Sequence, residues 1–259
     1  MESESQTRAR RIDPKLRASG WGIAPYEEAK PLGWYADTGI EEFPTSTGPA
    51  DYGLCVDGRL LGIVEAKKLT LGPQNVLTQA ERYSRGATAN PLDFDGFRVP
   101  FLYSTNGEVI WFHDVRHRLN RSRRVTRFHT PNALREMFGH DFQGACAWLA
   151  ANPNDHPRLR DYQAEANAAV ENAVAGRKRR MLVAMATGTG KTFTMVNQVY
   201  RLMKSGMARR VLFLVDRRAL AAQAVRAFAS FEPEQGLKFD RIYEVYSQRF
   251  RHEDLGDDE

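Results

Sequence analysis

The chain has 259 residues, of which 42% are hydrophobic and 27% are charged, and its formal net charge is +5. This length fits one or two globular domains, and the basic charge permits a nucleic-acid partner without requiring one. The two distant cysteines, Cys55 and Cys146, argue against a disulfide framework or a zinc site. Because the chain shows neither a signal-peptide core nor an apolar run long enough to cross a membrane, we expect a soluble, cytoplasmic protein with no membrane partner.

The first predicted element is a helix over residues 2–18, with Ile12 and Leu16 on one face and many arginines on the other. A predicted β-hairpin follows, formed by Ala50–Val56 and Arg59–Lys67 around the turn residues 57–58. Both of its strands are apolar on both faces, which is typical of the middle of a covered sheet. Carboxylates in such strands are costly unless they hold a cation or a polar partner.

The turn geometry decides whether the carboxylates of this hairpin can meet. Glu65 and Lys67 are two residues apart, so they share one face of their strand. A two-residue turn would place Asp51 and Glu65 on opposite faces of the sheet. A three-residue loop with Gly58 in the left-handed region would pair Asp51 with Ile63 and place it diagonal to Glu65 on one face. We predict the three-residue loop.

The side chains of Asp51, Glu65 and Lys67 fit phosphodiester hydrolysis. Carboxylate oxygens are ligands of Mg²⁺, which polarises a phosphoryl oxygen and lowers the pKa of a bound water. A lysine beside the metal can orient that water and offset developing negative charge. The spacing of the three residues is loose as a motif, and it also describes a structural Glu–Lys pair.

A second hairpin is predicted from Pro100–Asn106 and Glu108–His113, and it extends the same sheet. An arginine-rich run, Arg116–Arg127, follows. It could contact a phosphate backbone or form a solvated face, and both interpretations stay open. The candidate contacts are Arg121, Arg123 and Arg124.

The most specific signal in the chain is MLVAMATGTGKT, residues 181–192. A short apolar run, Met181–Met185, predicts a buried strand that leads through a glycine-bearing loop into a helix. Such a loop turns backbone N–H groups toward a polyphosphate, with Lys191 on the β- and γ-phosphates and the Thr192 hydroxyl on Mg²⁺. Met185 replaces the first glycine of the strict pattern. The predicted nucleotide-binding residues are Thr187, Gly188, Thr189, Gly190, Lys191 and Thr192.

Around this loop, helical patterns alternate with short apolar runs, which predicts a covered parallel α/β sheet. The predicted helices are Leu159–Ala175, Lys191–Lys204 and Arg217–Phe231, and Arg210–Asp216 is a predicted strand. Residues 151–158, rich in Pro, Asn and Asp, predict an interdomain linker. We therefore expect a first domain over 1–150, the linker, an ATP-binding region over 159–235 and a polar tail over 236–259.

Several stretches resemble known families. Ala50–Tyr52 followed by Val64–Lys68 resembles the core of PD-(D/E)xK nucleases, with alanine in place of the family's proline. Gln79 and Tyr83 match the Q-x-x-x-Y element that follows this core in a subgroup including type I restriction enzymes. The resemblance implies that both face the strand site.

The same resemblance implies an acidic residue on the first helix. Glu4 is the candidate, and Glu27 and Glu28 are the alternatives.

The second half resembles the start of a superfamily-two helicase motor. Residues 159–163 (LRDYQ) before the phosphate loop and residues 211–223 (VLFLVDRRALAAQ) carry this resemblance. It implies that Gln163 reads the adenine edge and that Arg217 and Gln223 contact the nucleic-acid backbone. No D-E-x-H sequence follows Lys191, so we expect ATP hydrolysis and translocation to be absent from this chain alone.

The order of these elements resembles the R (restriction) subunit of type I restriction-modification enzymes. The implied fold is α/β, with a nuclease-like mixed sheet and flanking helices followed by an incomplete RecA-like parallel α/β motor domain. The resemblance implies an N-terminal fragment or truncated form of an ATP- and Mg²⁺-dependent endonuclease that translocates and cuts double-stranded DNA. Its implied partners are methyltransferase and specificity subunits. The alternatives are a helicase-type ATP- and DNA-binding piece with a non-catalytic first domain, and an inactive remnant.

Overall fold

The computed structural model describes residues 4–67 and 77–246. The chain divides into two compact units, with the boundary between Gly139 and His140. We call the part up to Gly139 unit 1 and the part from His140 unit 2. In the described residues, no helix has both the length and the apolar character needed to cross a membrane.

Unit 1 is built on a mixed sheet whose seven described strands lie side by side in chain order. The strands are β1 (Gly22–Pro25), β2 (Thr38–Phe43), β3 (Ala50–Val56), β4 (Arg59–Ala66), β5 (Phe101–Thr105), β6 (Ile110–Asp114) and β7 (Arg123–Val125). The β1–β2 and β4–β5 pairs are parallel, and the other neighbours are antiparallel. Both predicted hairpins are confirmed, and the second extends the sheet of the first.

Helices cover both faces of this sheet. They are α1 (Glu4–Thr7), a π-helical turn (Arg8–Ile12), α2 (Asp13–Ala18), α3 (Leu77–Gly86) and α4 (Pro131–Phe138). Ile12 and Leu16 pack on one face, in a core that includes Tyr52 and Val64. Side chains of α3 pack on the opposite face, in a second core that includes Ile63. Because both faces are buried, the central strands carry apolar residues in both directions.

The β3–β4 turn contains two residues, so the prediction of a three-residue loop is wrong. Val56 pairs with Arg59, which leaves only Asp57 and Gly58 between the strands. Both turn residues have positive φ, 49° and 72°. A type I′ turn requires this conformation at both central positions, and its twist matches that of the flanking strands.

A β-bulge in β4 then changes the register. The pairing shifts between Leu54 and Cys55, so Leu61 is an extra residue without an opposite partner on β3. The carbonyl of Leu60, which precedes the bulge, accepts a hydrogen bond from the buried Asn90 side chain at 2.9 Å. This side chain therefore satisfies a backbone group next to the interrupted ladder.

Unit 2 is helical in its described part. Its helices are α5 (Phe142–Ala151), α6 (Asp161–Ala175), α7 (Lys191–Lys204), α8 (Arg218–Ser230) and the short α9 (Phe239–Ile242). The predicted helices are confirmed. The two apolar runs predicted as buried strands pair with no strand in the described residues, and Leu182 and Leu214 are 94% and 80% exposed. A buried parallel strand needs neighbouring strands and covering helices, and the described part of this unit supplies no such neighbour.

The segment predicted as an interdomain linker is tied into unit 2. The Arg201 guanidinium, which is buried, donates hydrogen bonds to the carbonyls of Asn152 at 2.7 Å and Pro153 at 3.2 Å. The same guanidinium pairs with Glu171 at 2.7 Å. The division between the units accordingly lies at residues 139–140, before α5, whereas the sequence suggested residue 150.

Candidate functional site

The strand register implies that Asp51 and Glu65 share a face of the unit 1 sheet. Tyr52 pairs with Val64 across β3 and β4, and both side chains belong to one buried core. Side chains alternate along a strand, so the residue before Tyr52 and the residue after Val64 both project to the opposite face. This register agrees with the same-face arrangement expected from the sequence, through the bulge at Leu61 and not through a longer loop.

Lys67 completes this group of side chains. Its ammonium lies 2.6 Å from the Glu65 carboxylate, and the two side chains are only 12% and 4% exposed. The backbone N–H of Lys67 donates to the carbonyl of Thr105 at 2.8 Å, which holds the end of β4 against β5. A buried ion pair of this kind keeps a cation directly beside one carboxylate of the site.

The Asp51 carboxylate is held from two sides. One oxygen accepts a hydrogen bond from the Ala66 backbone N–H at 2.7 Å, and the other accepts from Arg8 at 3.1 Å. Burial raises the pKa of Asp51 above its usual value, while the Ala66 hydrogen bond and the positive charges of Arg8 and Lys67 oppose that rise. Hydrogen bonds to both oxygens fix the carboxylate and leave further lone pairs for a cation.

Two residues near Asp51 were not singled out by sequence reasoning. The Arg8 side chain also hydrogen-bonds to Glu42 on the neighbouring strand β2. Arg8 is one of many arginines in the first helix and Glu42 is an exposed glutamate on a strand, so the sequence assigned no role to either residue. Long-range packing alone brings them to Asp51.

Gln79 and Tyr83 lie on α3, the helix that covers the face to which Asp51 and Glu65 project. The Gln79 side-chain amide donates a hydrogen bond to the Tyr83 hydroxyl at 3.2 Å. The spacing of four residues predicted that they share a helix face, and this contact agrees with it. Their expected role beside the strand site stays a prediction.

The donor chemistry of the site fits Mg²⁺. This cation is commonly held by one or two carboxylates, with the remaining positions taken by water and substrate oxygens. Asp51 and Glu65 supply two carboxylates on one face. A cluster of three or more His, Cys, Asp or Glu side chains suited to a metal does not occur in residues 4–67 and 77–246.

The candidates for a further acidic residue do not add to this set. The side chain of Glu4 lies outside the described part of the chain. Glu27 and Glu28 are exposed, and Glu27 pairs with Lys30 at 2.6 Å.

The phosphate loop of unit 2 leads into the N-terminus of α7, as the sequence predicted. Gly188 and Gly190 both have φ of 80°, a conformation that glycine adopts without steric cost. The Lys191 ammonium donates to the carbonyls of Met185 and Ala186, both at 3.1 Å. The lysine thus closes back over the loop, where it can exchange these carbonyls for phosphate oxygens. Of the two flanking threonines, residue 187 is exposed and residue 192 is half-buried.

Gln163 joins the start of α6 to this loop. Its side-chain oxygen accepts from the Arg160 N–H at 3.0 Å, and its amide nitrogen donates to the Thr189 carbonyl at 2.8 Å. The Tyr162 hydroxyl donates to the same carbonyl at 3.0 Å. The side chain expected to read adenine therefore lies at the loop and braces it.

The predicted nucleic-acid contacts are exposed in both units. Arg121, Arg123 and Arg124 lie on or just before the edge strand β7, and the Arg123 guanidinium is 4.9 Å from the Phe112 ring centroid. In unit 2, Arg217 directly precedes α8 and Gln223 lies in its first half, and both residues are exposed. Contact of these side chains with nucleic acid stays a prediction.

Comparisons with known proteins agree with the motifs. Residues 35–138 match a family model described as the second domain of the type I restriction enzyme EcoKI endonuclease subunit. Residues 156–258 match a model described as type III restriction enzyme, res subunit. The EcoKI endonuclease subunit of Escherichia coli (strain K12) is 33% identical over an alignment of 283 residues, which covers 90% of this chain and 24% of that protein.

Two further proteins are similar to this chain. The EcoAI endonuclease subunit of Escherichia coli is 30% identical over 172 residues, which covers 57% of this chain and 20% of that protein. A solved fragment assigned as an HsdR subunit of a type I restriction enzyme from Vibrio vulnificus YJ016 has 26% identity over 78% of this chain and 38% of that chain, with a TM-score of 0.40. The chain thus spans about a quarter of the length of the curated relatives, 24% and 20%. It belongs to the family of endonuclease subunits of type I restriction enzymes.

Proposed function

We propose that unit 1 is a Mg²⁺-dependent endonuclease domain that hydrolyses phosphodiester bonds in double-stranded DNA. One observation carries the proposal: the pairing of Tyr52 with Val64 aligns Asp51 with Glu65, and Lys67 lies 2.6 Å from Glu65. The first two residues would hold Mg²⁺, and the bound ion would supply Lewis-acid stabilisation of the phosphoryl oxygen.

The chain's own residues supply the remaining functions in this proposal. The Ala66 N–H fixes the Asp51 carboxylate at 2.7 Å. The Lys67 ammonium has three donors, so one can stay on Glu65 while others orient the attacking water and meet negative charge on the phosphate. Gln79 and Tyr83, which lie on the covering helix α3, would help to position the reacting groups.

Nicking of supercoiled plasmid DNA tests the nuclease proposal. We expect this chain to nick DNA with Mg²⁺, and we expect Asp51→Ala and Lys67→Ala to lose the activity while keeping the circular dichroism of the wild type. The control is Lys178→Ala, which removes an exposed lysine in unit 2. Nicking that persists in both site variants would defeat the assignment of these residues.

We also propose that the phosphate loop binds ATP, with Lys191 on the phosphates, Thr192 on a second Mg²⁺ and Gln163 at the adenine. The left-handed Gly188 and Gly190 at the N-terminus of α7 support the proposal. A ligand that binds the folded state but not the unfolded state raises the melting temperature, and the rise increases with the ratio of free ligand to Kd. We expect MgATP to stabilise unit 2 in the wild type and in Lys178→Ala, and not in Lys191→Ala. Equal stabilisation of all three proteins by MgATP would show that Lys191 and the phosphate loop do not bind the nucleotide.

For the whole subunit, we propose ATP-driven translocation coupled to cleavage, in a complex with methyltransferase and specificity subunits that select the DNA sequence. The EcoKI and EcoAI relatives, which are endonuclease subunits of type I restriction enzymes, support the endonuclease part of this proposal. Translocation and the two partner subunits are proposed from the resemblance of the motifs alone. Copurification of the full-length subunit with both partner subunits, followed by ATP-dependent cleavage of DNA, tests it. A chain that binds MgATP but never nicks DNA would favour a helicase-type module with a non-catalytic first unit.

A further inference from the structure

The Asp51 carboxylate already has a cation beside it, the guanidinium of Arg8. We propose that Arg8 competes electrostatically with the divalent cation and so sets how tightly the nuclease site binds its metal. The inference rests on the proposed metal site. It adds a positioning residue to which the sequence analysis gave no role.

Strand register places residues 42, 51 and 65 opposite one another on three neighbouring strands. Glu41 pairs with Tyr52, so the next residue of β2, Glu42, lies opposite Asp51. On the other side of β3, the pairing of Tyr52 with Val64 brings residue 65 opposite Asp51 as well. Asp51 is therefore the middle member of an acidic row that runs over three neighbouring strands.

Two cations form ion pairs with this row, one at each end. Arg8 bonds to Glu42 and to Asp51, at 3.1 Å from the latter. Lys67 bonds to Glu65. Arg8 thus lies between Asp51 and Glu42, whereas Asp51 and Glu65 would hold the proposed metal. Both cations share the charge of one carboxylate, so each weakens the attraction available to the other.

Two local backbone irregularities flank the Arg8 bridge. Arg8 opens the π-helical turn, and π-helical turns occur mostly as short interruptions that are frequent at functional sites. Glu42 has φ of 50° within β2, in the left-handed region that non-glycine residues rarely adopt. The Arg8 side chain is only 17% exposed, and its guanidinium lies 5.9 Å from the Tyr52 ring centroid. The π-helical turn at Arg8 and the positive φ of Glu42 both cost free energy, so they persist only because the surrounding structure stabilises them. The same packing holds the Arg8 side chain at the two carboxylates.

Opposite charge changes at the two ends of the bridge separate this idea from a purely structural one. If Arg8 competes with the metal, Arg8→Gln should bind a divalent cation more tightly, on the order of tenfold, because a like charge a few ångströms away is removed. Glu42→Gln should bind the divalent cation more weakly, because the positive charge of Arg8 is then no longer shared with Glu42 and interacts with Asp51 alone. If the bridge only supports the fold around Asp51, both substitutions should weaken binding.

The experiment is titration of the full chain with Mn²⁺, followed by calorimetry and by the electron paramagnetic resonance signal of free Mn²⁺. We expect tighter binding for Arg8→Gln, weaker binding for Glu42→Gln, and near wild-type affinity for the double variant and for Arg8→Lys. Arg10→Gln is the matched control, because it removes an exposed arginine of the same helical turn.

The outcomes separate this inference from the nuclease proposal. Mn²⁺ binding that is lost in Asp51→Ala but is equal in Arg8→Gln and Arg10→Gln would overturn the role of Arg8 alone. Weakened binding in both Arg8→Gln and Glu42→Gln would also overturn it. The absence of any Mn²⁺ binding that depends on Asp51 would overturn the metal site, and the inference with it.

Discussion

The hydrogen bond from Asn90 to the bulge of β4 provides a stringent test of how the fold builds the site. Asn90 is buried and donates to the Leu60 carbonyl at 2.9 Å and to the Arg98 carbonyl at 2.7 Å. Asn90→Leu keeps a similar side-chain volume but removes both donors. The buried Leu60 carbonyl, beside the bulge that sets the register of Glu65 against Asp51, and the partly buried Arg98 carbonyl would then lose their partners.

The expected loss follows from these two contacts. An unmade hydrogen bond that leaves a buried partner unsatisfied costs about 1–3 kcal/mol, so two such contacts correspond to about 2–4 kcal/mol if the site relaxes in part. For a unit of the size of unit 1, the unfolding entropy converts this loss into a fall of about 7–14 °C in melting temperature. We therefore expect a large and specific destabilisation of unit 1.

Differential scanning calorimetry of the full chain measures this effect, and hydrogen exchange at Leu61 reports the bulge directly. Thr88→Val is the matched control, since it removes a hydroxyl from an exposed residue two positions earlier. We expect faster exchange at the bulge in Asn90→Leu and none of these changes in the control. If Asn90→Leu melts within about 2 °C of Thr88→Val, the amide does not support the bulge and the reasoning is refuted.

Three further predictions concern other parts of the chain. Burial lowers the pKa of His129 to about 4, so the unfolded state binds more protons below pH 6.5 and unit 1 should lose stability as the pH falls from about 6.5 toward 4. Urea unfolding at pH 7 and pH 4.5 should show a smaller loss of stability in His129→Gln than in the wild type. An equal loss of stability in both proteins would show that His129 is not its cause. Arg201→Met should destabilise unit 2 by about 3–5 kcal/mol in urea unfolding, because it leaves the buried Glu171 carboxylate without this cation. A change in the free energy of unfolding below about 1 kcal/mol would show that the ion pair is dispensable. Gly190→Ala should abolish stabilisation by MgATP, since φ is 80° and an added Cβ would lie 2.5 Å from the Gln163 amide nitrogen. Gly206→Ala, where φ is 77° and no atom lies near, should retain that stabilisation.

Local patterns in the sequence were sufficient for much of the fold. Two short apolar runs and the Asp57-Gly58 pair between them located both strands of the first hairpin, and the glycine loop before Lys191 located the start of α7. These features depend on residues close together in the chain, so their physical causes are visible in the sequence. The same holds for the chemical nature of the candidate site, because Asp51, Glu65 and Lys67 are recognisable by type and spacing.

Strand neighbours were harder to predict. The apolar runs before α7 and α8 have the composition of buried strands, yet Leu182 and Leu214 are exposed in this structure. A strand becomes buried only when other strands pair with it and helices cover it, and composition alone does not supply those partners.

The amino-acid sequence by itself determined which side chains can perform chemistry: two carboxylates and a lysine in one hairpin, and a glycine-bearing loop ahead of Lys191. Only the tertiary structure decided that Asp51 and Glu65 share a face, because a single extra residue, Leu61, reverses the side-chain direction of everything after it. It also brought Arg8 to Asp51 across 43 positions of chain. Register and long-range ion pairs depend on how distant segments pack, and no local pattern of residue types carries that information.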